Sequence, residues 1–261
     1  MSKILLFIPC YNCEKQITRV LAQLTPEVLQ YLSRVLIVNN RSTDHTEERA
    51  AEYLKAHPSI PATLVRNDEN YGLGGSHKVA FSYAMEGGYD HVIVLHGDDQ
   101  GSIADLVPYL KDGSYEKYDS YLGSRFAKGS KLCNYSKFRI FGNHVFNVVV
   151  SAATGRHLTD LGSGLNLYRT DYLKSRFYMD FPDTLTFNVY MLLYGVYSKS
   201  DFAFFPLTWR EEDQISNAKF FRQAREILSL VLRYVFRRKK LFAPQEGEER
   251  KYTCAVIHEN A

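Results

Sequence analysis

Cysteine is scarce: Cys10, Cys13, Cys133 and Cys254 are the four in 261 residues. That excludes a disulfide-stapled scaffold, and a chain this long buries a full core without staples. Cys10 and Cys13 form a C-x-x-C with no second pair to match it, so a four-ligand zinc site has no support. Long apolar runs are also missing. No stretch approaches the roughly 20 apolar residues of a bilayer span, and the run at 4–8 is too short for a signal-peptide core. The expectation is a cytoplasmic protein with reduced thiols. Charge imbalance is small, with 32 Lys and Arg against 29 Asp and Glu. No nucleic-acid partner is therefore expected. The one excess is aromatic, 19 Tyr and 16 Phe beside a single Trp, which suits a sugar or lipid groove or a core.

What is present has a rhythm. Apolar runs at 4–8, 34–38, 62–65 and 91–95 alternate with helical stretches. This predicts an open α/β fold, a mostly parallel sheet with helices on both faces. Ligands of such sheets bind beyond the carboxyl ends of the strands, and each predicted strand ends in polar residues. The first runs into Pro9-Cys10-Tyr11-Asn12, the second into Asn39-Asn40-Arg41-Ser42-Thr43-Asp44, the third into Asn70-Tyr71-Gly72-Leu73-Gly74-Gly75, and the fourth into His96-Gly97-Asp98-Asp99-Gln100. The amides of Asn39 and Asn40 suit the edge of a nucleobase. Glycines after Tyr71 let the backbone approach a ligand or a neighbouring strand. Asp98, Asp99 and Gln100 offer oxygen ligands for a divalent cation. Further along, five basic residues and no acidic one lie between Arg125 and Arg139, a candidate anion pocket or a solvated basic loop.

These segments, in this order, resemble the nucleotide-sugar motifs of family 2 glycosyltransferases, and most of all those of dolichyl- or polyprenyl-phosphate mannose synthases. The resemblance runs from about residue 4 to 219. It implies a GT-A fold and inverting transfer from a nucleoside-diphosphate sugar with a divalent cation, Mg2+ or Mn2+. Pro9, Tyr11, Asn12, Asn39, Asn40, Asn70, Gly72, Gly97 and Asp98 would surround the nucleotide, with Asn40 standing where the family commonly has Asp. The D-x-D-x-Q signature reads here His96-x-Asp98-x-Gln100. Asp98 and Gln100 would hold the metal. His96 would either join them or hydrogen-bond ribose or diphosphate. Arg125 and Arg139 would hold an acceptor phosphate, and Asp98, Asp160 and Arg125 would form the catalytic set, with Asp160 touching the sugar.

A general base is missing. Many relatives that glycosylate a hydroxyl carry an acid near Asn188, and here it is an amide. A phosphate acceptor needs no base, so a polyprenyl phosphate is expected, with Asp160 and Asp183 as remaining bases should the acceptor be a glycan hydroxyl. A non-catalytic nucleotide-sugar or glycan-binding module is the third reading. Residues 1–218 are read as the glycosyltransferase domain, 1–118 for the nucleotide sugar and 119–218 for the acceptor. The polar segment 211–219 resembles the family's donor-closing loop, from which Arg210 or Lys219 would reach the diphosphate. Residues 219–240 form a predicted amphipathic helix with Phe220, Ala224, Ile227, Leu228, Val231 and Val235 on one face. It would pack on the core, lie in a membrane interface or join an oligomer. Its eight basic residues and one acid give a local charge of +7, so peripheral attachment to the cytoplasmic membrane face is physically reasonable. Residues 241–261 read as a linker and a loosely ordered tail.

Overall fold

The computed structural model describes residues 2–211, 218–244 and 250–261. In chain order the first half runs β1 (Ile4–Cys10), α1 (Ile17–Ala22), α2 (Pro26–Leu29), β2 (Arg34–Asn39), α3 (Thr46–Ala56), β3 (Ala62–Asn67), α4 (Gly72–Glu86), β4 (His91–Leu95) and α5 (Val107–Asp112). The second runs β5 (Ser120–Ser124), β6 (Lys131–Cys133), α6 (Lys137–Thr154), β7 (Leu165–Arg169), α7 (Thr170–Leu173), α8 (Phe187–Ser198), β8 (Phe202–Pro206), β9 (Thr208–Arg210), α9 (Ala218–Leu241) and β10 (Cys254–Glu259).

The main sheet has the order β10-β3-β2-β1-β4-β7-β5-β8. Strands β1 to β4 are parallel neighbours and were legible as apolar runs because both their faces are covered. Ile4, Leu6 and Ile8 point into one core with α1 and α3, and Leu5 and Phe7 point into the other with α4 and α8. At roughly 1.5–3 kcal/mol per fully buried large apolar side chain, this double layer is the main source of cohesion.

Two departures from parallel order create the site. Antiparallel β7 lies between β4 and β5 and sets Leu95 opposite Leu165. The loop after β4 is thereby laid against the loop before β7, and the His96 N–H donates to the Gly164 carbonyl at 2.9 Å. Glycine at 164 eases this approach, since a Cβ there would lie 3.0 Å from the His96 ring. The small parallel ribbon of β6 and β9 then brings Trp209 and Glu211 beside the segment that follows β5.

The C-terminal expectations change. The loosely ordered tail is instead a strand: β10 pairs antiparallel with β3 and covers that edge, while residues 245–249 of the expected linker lie outside the described residues. The Asn260 side chain, buried, donates to the carbonyls of Leu54, His57 and Ile60. α9 is helical up to a break at Arg237. Its inner face is Ile227, Leu230, Val231 and Tyr234, whereas Leu228 and Val235, expected on that face, are exposed. The neighbours α6 and α8 decide which stripe is covered. The side chains of Lys219, Phe220 and Arg222 lie outside the described residues.

Candidate active site

The rim at the ends of β1, β2 and β3 is closed by its own hydrogen bonds. The Asn12 N–H donates to Ser42 Oγ, and Asn12 Oδ1 accepts from the Thr43 N–H. Asn39 Oδ1 accepts from the Ser42 N–H, and its Nδ2 donates to Glu47. Asn40 Oδ1 accepts from Asn67 Nδ2 and from the Tyr71 N–H, while Asn40 Nδ2 donates to Asn70 Oδ1. Buried loop amides must find partners, and these asparagines supply them. Asn39 and Asn40, both buried, and the exposed Asn70 are thus bonded to neighbouring loops in this structure. Gly97 donates its N–H to the Pro9 carbonyl and packs on Cys10 Sγ. Gly72 and Gly74 press against the backbone at Asp183 and Pro182, not against a ligand space. Tyr11, Asn12, Arg41, Thr43 and Asn70 are the exposed residues of this rim.

A cleft of about 280 Å3 opens beside it. Its walls bring together His96, Asp98, Gln100, Arg125 and Arg139 of the expected residues, and leave Pro9, Tyr11, Asn12, Asn39, Asn40, Asn70, Gly72, Gly97 and Asp160 outside. Tyr135, Asn143 and Trp209, not anticipated from sequence, complete it. Asn143 stands one helical turn beyond Arg139 on α6, a spacing that would have revealed it.

The basic segment is not a bare anion pocket. Arg125 Nε and Nη2 grip both oxygens of Asp160 at 2.8 and 2.7 Å, and Asp160 also accepts from the backbone N–H groups of Arg125 and Gly162. Burial works against the Arg125 charge, but Asp160 outweighs it and the guanidinium pKa is raised. Arg125 also donates to the Tyr135 hydroxyl and lies 5.1 Å from the Trp209 ring centre. Asp160, 2% exposed, is thus the counter-ion of Arg125 and does not line the cleft. Arg139 pairs with Glu211. Asp183, the other expected base, accepts from Lys78 Nζ at 2.7 Å, from the Tyr252 hydroxyl and from Arg250. Residues 212–217 of the expected donor-closing loop lie outside the described residues.

Asp98 is the one carboxylate on the cleft wall among the described residues. Asp99, read with it as a cation ligand, turns away to Arg19 and Gln23. His96 is half-buried, and its Nε2 atom is buried without a hydrogen-bond partner. Burial lowers its pKa, with Asp98 pulling partly the other way, so the imidazole is neutral and able to ligate. No group of three or more His, Cys, Asp and Glu that could hold a metal occurs among the described residues. Asp98, Gln100 and His96 nonetheless fit a divalent cation of the kind that takes few protein ligands and completes its shell on substrate phosphates. Asn188 Oδ1 is a second buried acceptor without a partner.

Comparison with known proteins accords with this architecture. The chain is 27% identical over 173 residues to the undecaprenyl-phosphate mannosyltransferase of Micrococcus luteus, spanning 66% of this chain and 69% of that one. It is 23% identical over 173 residues to the polyprenol monophosphomannose synthase of Mycolicibacterium smegmatis, spanning 66% and 64%. Among solved structures, the glucosyl-3-phosphoglycerate synthase of Mycobacterium tuberculosis with UDP superimposes with a TM-score of 0.63 at 13% identity, covering 94% of this chain and 82% of that one. The mannosyltransferase PcManGT of Pyrobaculum calidifontis, solved with GDP-Man and Mn2+, gives 0.61 at 17%, covering 88% and 64%. The family profile of glycosyl transferase family 2 matches residues 6–177, and with its GT-A fold the chain belongs to that family.

Proposed function

We propose that this glycosyltransferase moves a sugar, with inversion, from a nucleoside-diphosphate sugar to a polyprenyl phosphate presented at a membrane surface. The make-up of the cleft carries the reading: Arg125 and Arg139 line it with a single carboxylate among the described residues, Asp98, while Asp160, Asp183 and Glu211 are held in ion pairs. A hydroxyl acceptor loses its proton during attack and needs a base beside it. A phosphate monoester, with a second pKa near 6, arrives charged and needs cations instead. The names of the relatives support that acceptor class, and neighbours holding UDP or GDP-Man support the donor class.

In this reading the acceptor phosphate docks on Arg139 in place of Glu211, with the cation of Arg125 held behind it by Asp160. A phosphate oxygen attacks the anomeric carbon in line with the bond to the diphosphate. That bond breaks, and its electron pair leaves with the nucleoside diphosphate. Asn188 Oδ1 accepts a sugar hydroxyl. A divalent cation at Asp98, Gln100 and His96 would neutralise the departing diphosphate.

The test is nucleoside diphosphate release from UDP- and GDP-sugars with Mg2+ or Mn2+ and a short-chain prenyl phosphate. Release should require the prenyl phosphate. Release with glycan hydroxyls alone would overturn the acceptor, and donor binding without any release would make the chain a binding module.

A further inference from the structure

Two neighbouring helices turn one side to the cleft and an apolar side outward. On α6, Arg139, Asn143 and Phe146 line the cleft. Phe138, Phe141, Val145, Val148 and Val149 stand exposed, at spacings that place them on a single stripe. α9 packs against α6 and repeats the plan. Ala224 and Ile227 line the cleft, while Leu228, Leu232, Val235 and Phe236 are exposed, Phe236 at 77%. These two helices hold nine of the thirteen exposed large apolar side chains among the described residues. Scattered exposed apolar residues need no explanation, but such a concentration marks a docking surface.

Charge selects the occupant. α6 contains no acidic residue and begins at Lys137, and α9 has Glu226 as its one acid against Arg225, Arg233 and the basic run 237–240. A second copy of the chain, docked about a two-fold axis, would set these cations against their own counterparts. An anionic bilayer satisfies both the apolar stripes and the cations. We propose that α6 and α9 together form a docking face that seats in one leaflet of an anionic membrane and holds the cleft mouth at the level of lipid phosphates. This deepens the polyprenyl-phosphate reading and rests on it. It also extends the basic segment 219–240, expected to act alone, to a two-helix surface in which α6 supplies the longer apolar stripe.

Sedimentation with phosphatidylcholine vesicles, with and without phosphatidylglycerol, tests it on the full chain. Binding should be roughly tenfold or more stronger with the anionic lipid and weaken as salt rises. Phe141→Asp with Val148→Asp, and separately Leu232→Asp with Phe236→Asp, should each lower binding roughly tenfold. Turnover of a water-soluble short-chain prenyl phosphate should stay unchanged, which also reports that these variants fold. Trp emission of Phe236→Trp, taken as a difference from wild type, should shift to the blue on anionic vesicles. The proposal is overturned by wild-type binding that neither pair reduces, by an unshifted Phe236→Trp, or by a dimer that the Asp pairs dissociate. Absence of prenyl-phosphate turnover in a wild type that still binds vesicles would instead remove the acceptor reading.

Discussion

At the ends of β1 to β3 the amides of Asn12, Asn39, Asn40, Asn67 and Asn70 turn into neighbouring loops and bond there. Beside β4, β5 and β7 the same kinds of residue are left with something to bind: His96 Nε2 and Asn188 Oδ1 are buried without partners, and Asp98 faces the cleft. Among these rim amides Asn67 Oδ1 alone is buried without a partner, whereas the cleft keeps His96 Nε2, Asn188 Oδ1 and Trp209 Nε1 unpaired. A polar residue at a strand end is therefore no indication of a ligand until its donors and acceptors have been accounted for, and it is the residual capacity that locates chemistry.

The comparison breaks most visibly at Arg125. Arg125→Leu strands the Asp160 carboxylate and should cost about 3–5 kcal/mol of stability, read by urea unfolding; adding Asp160→Leu should restore much of it. A single variant as stable as wild type would mean that the pair does not hold the cleft wall. Next, Asp98→Asn should lower kcat by about 10²–10³ with the thermal midpoint unmoved. An unchanged rate would remove the cation site from the cleft.

Asn40→Ala leaves the Tyr71 N–H and the Asn67 amide without their acceptor and should cost about 1–3 kcal/mol, with little effect on donor KM. The opposite pattern, a raised donor KM at full stability, would return Asn40 to the nucleotide. His77 joins the two regions. Its Nδ1–H donates to Leu73 O, and its ring lies among Phe7, Phe81, Phe187 and His96. Burial lowers its pKa from 6.5 to about 3. Between those values the unfolded chain binds a proton that the folded one refuses, so stability is retained above about pH 6.5 and falls on acidification. His77→Phe should flatten that slope in urea midpoints taken across the window. The smallest effect is expected at Glu211, whose partly exposed pair with Arg139 is worth up to about 1 kcal/mol. Glu211→Gln should lower the acceptor KM by up to about fivefold; a higher KM would place Glu211 among the groups that hold the acceptor.

Much of the fold was legible because apolar runs such as 4–8 and 91–95 are buried on both faces and permit nothing else. The candidate metal ligands were legible because three of them sit in five consecutive residues. The counter-ions were not. Asp160 reaches Arg125 across 35 residues and Glu211 reaches Arg139 across 72, so the two arginines of a segment that reads as purely basic are paired in space. Nor was the tail: the apolar run of β10 is only Cys254 to Ile257, and its partner β3 is nearly two hundred positions away.

Sequence alone determined the parallel strands β1 to β4 and the family of the fold, since local patterning is set by which residues are apolar and at what period. Tertiary structure alone decided which polar groups remain available. Hydrogen bonds and ion pairs are satisfied by whichever partner lies within about 3 Å, and that distance is fixed by strand order, above all by β7 lying between β4 and β5.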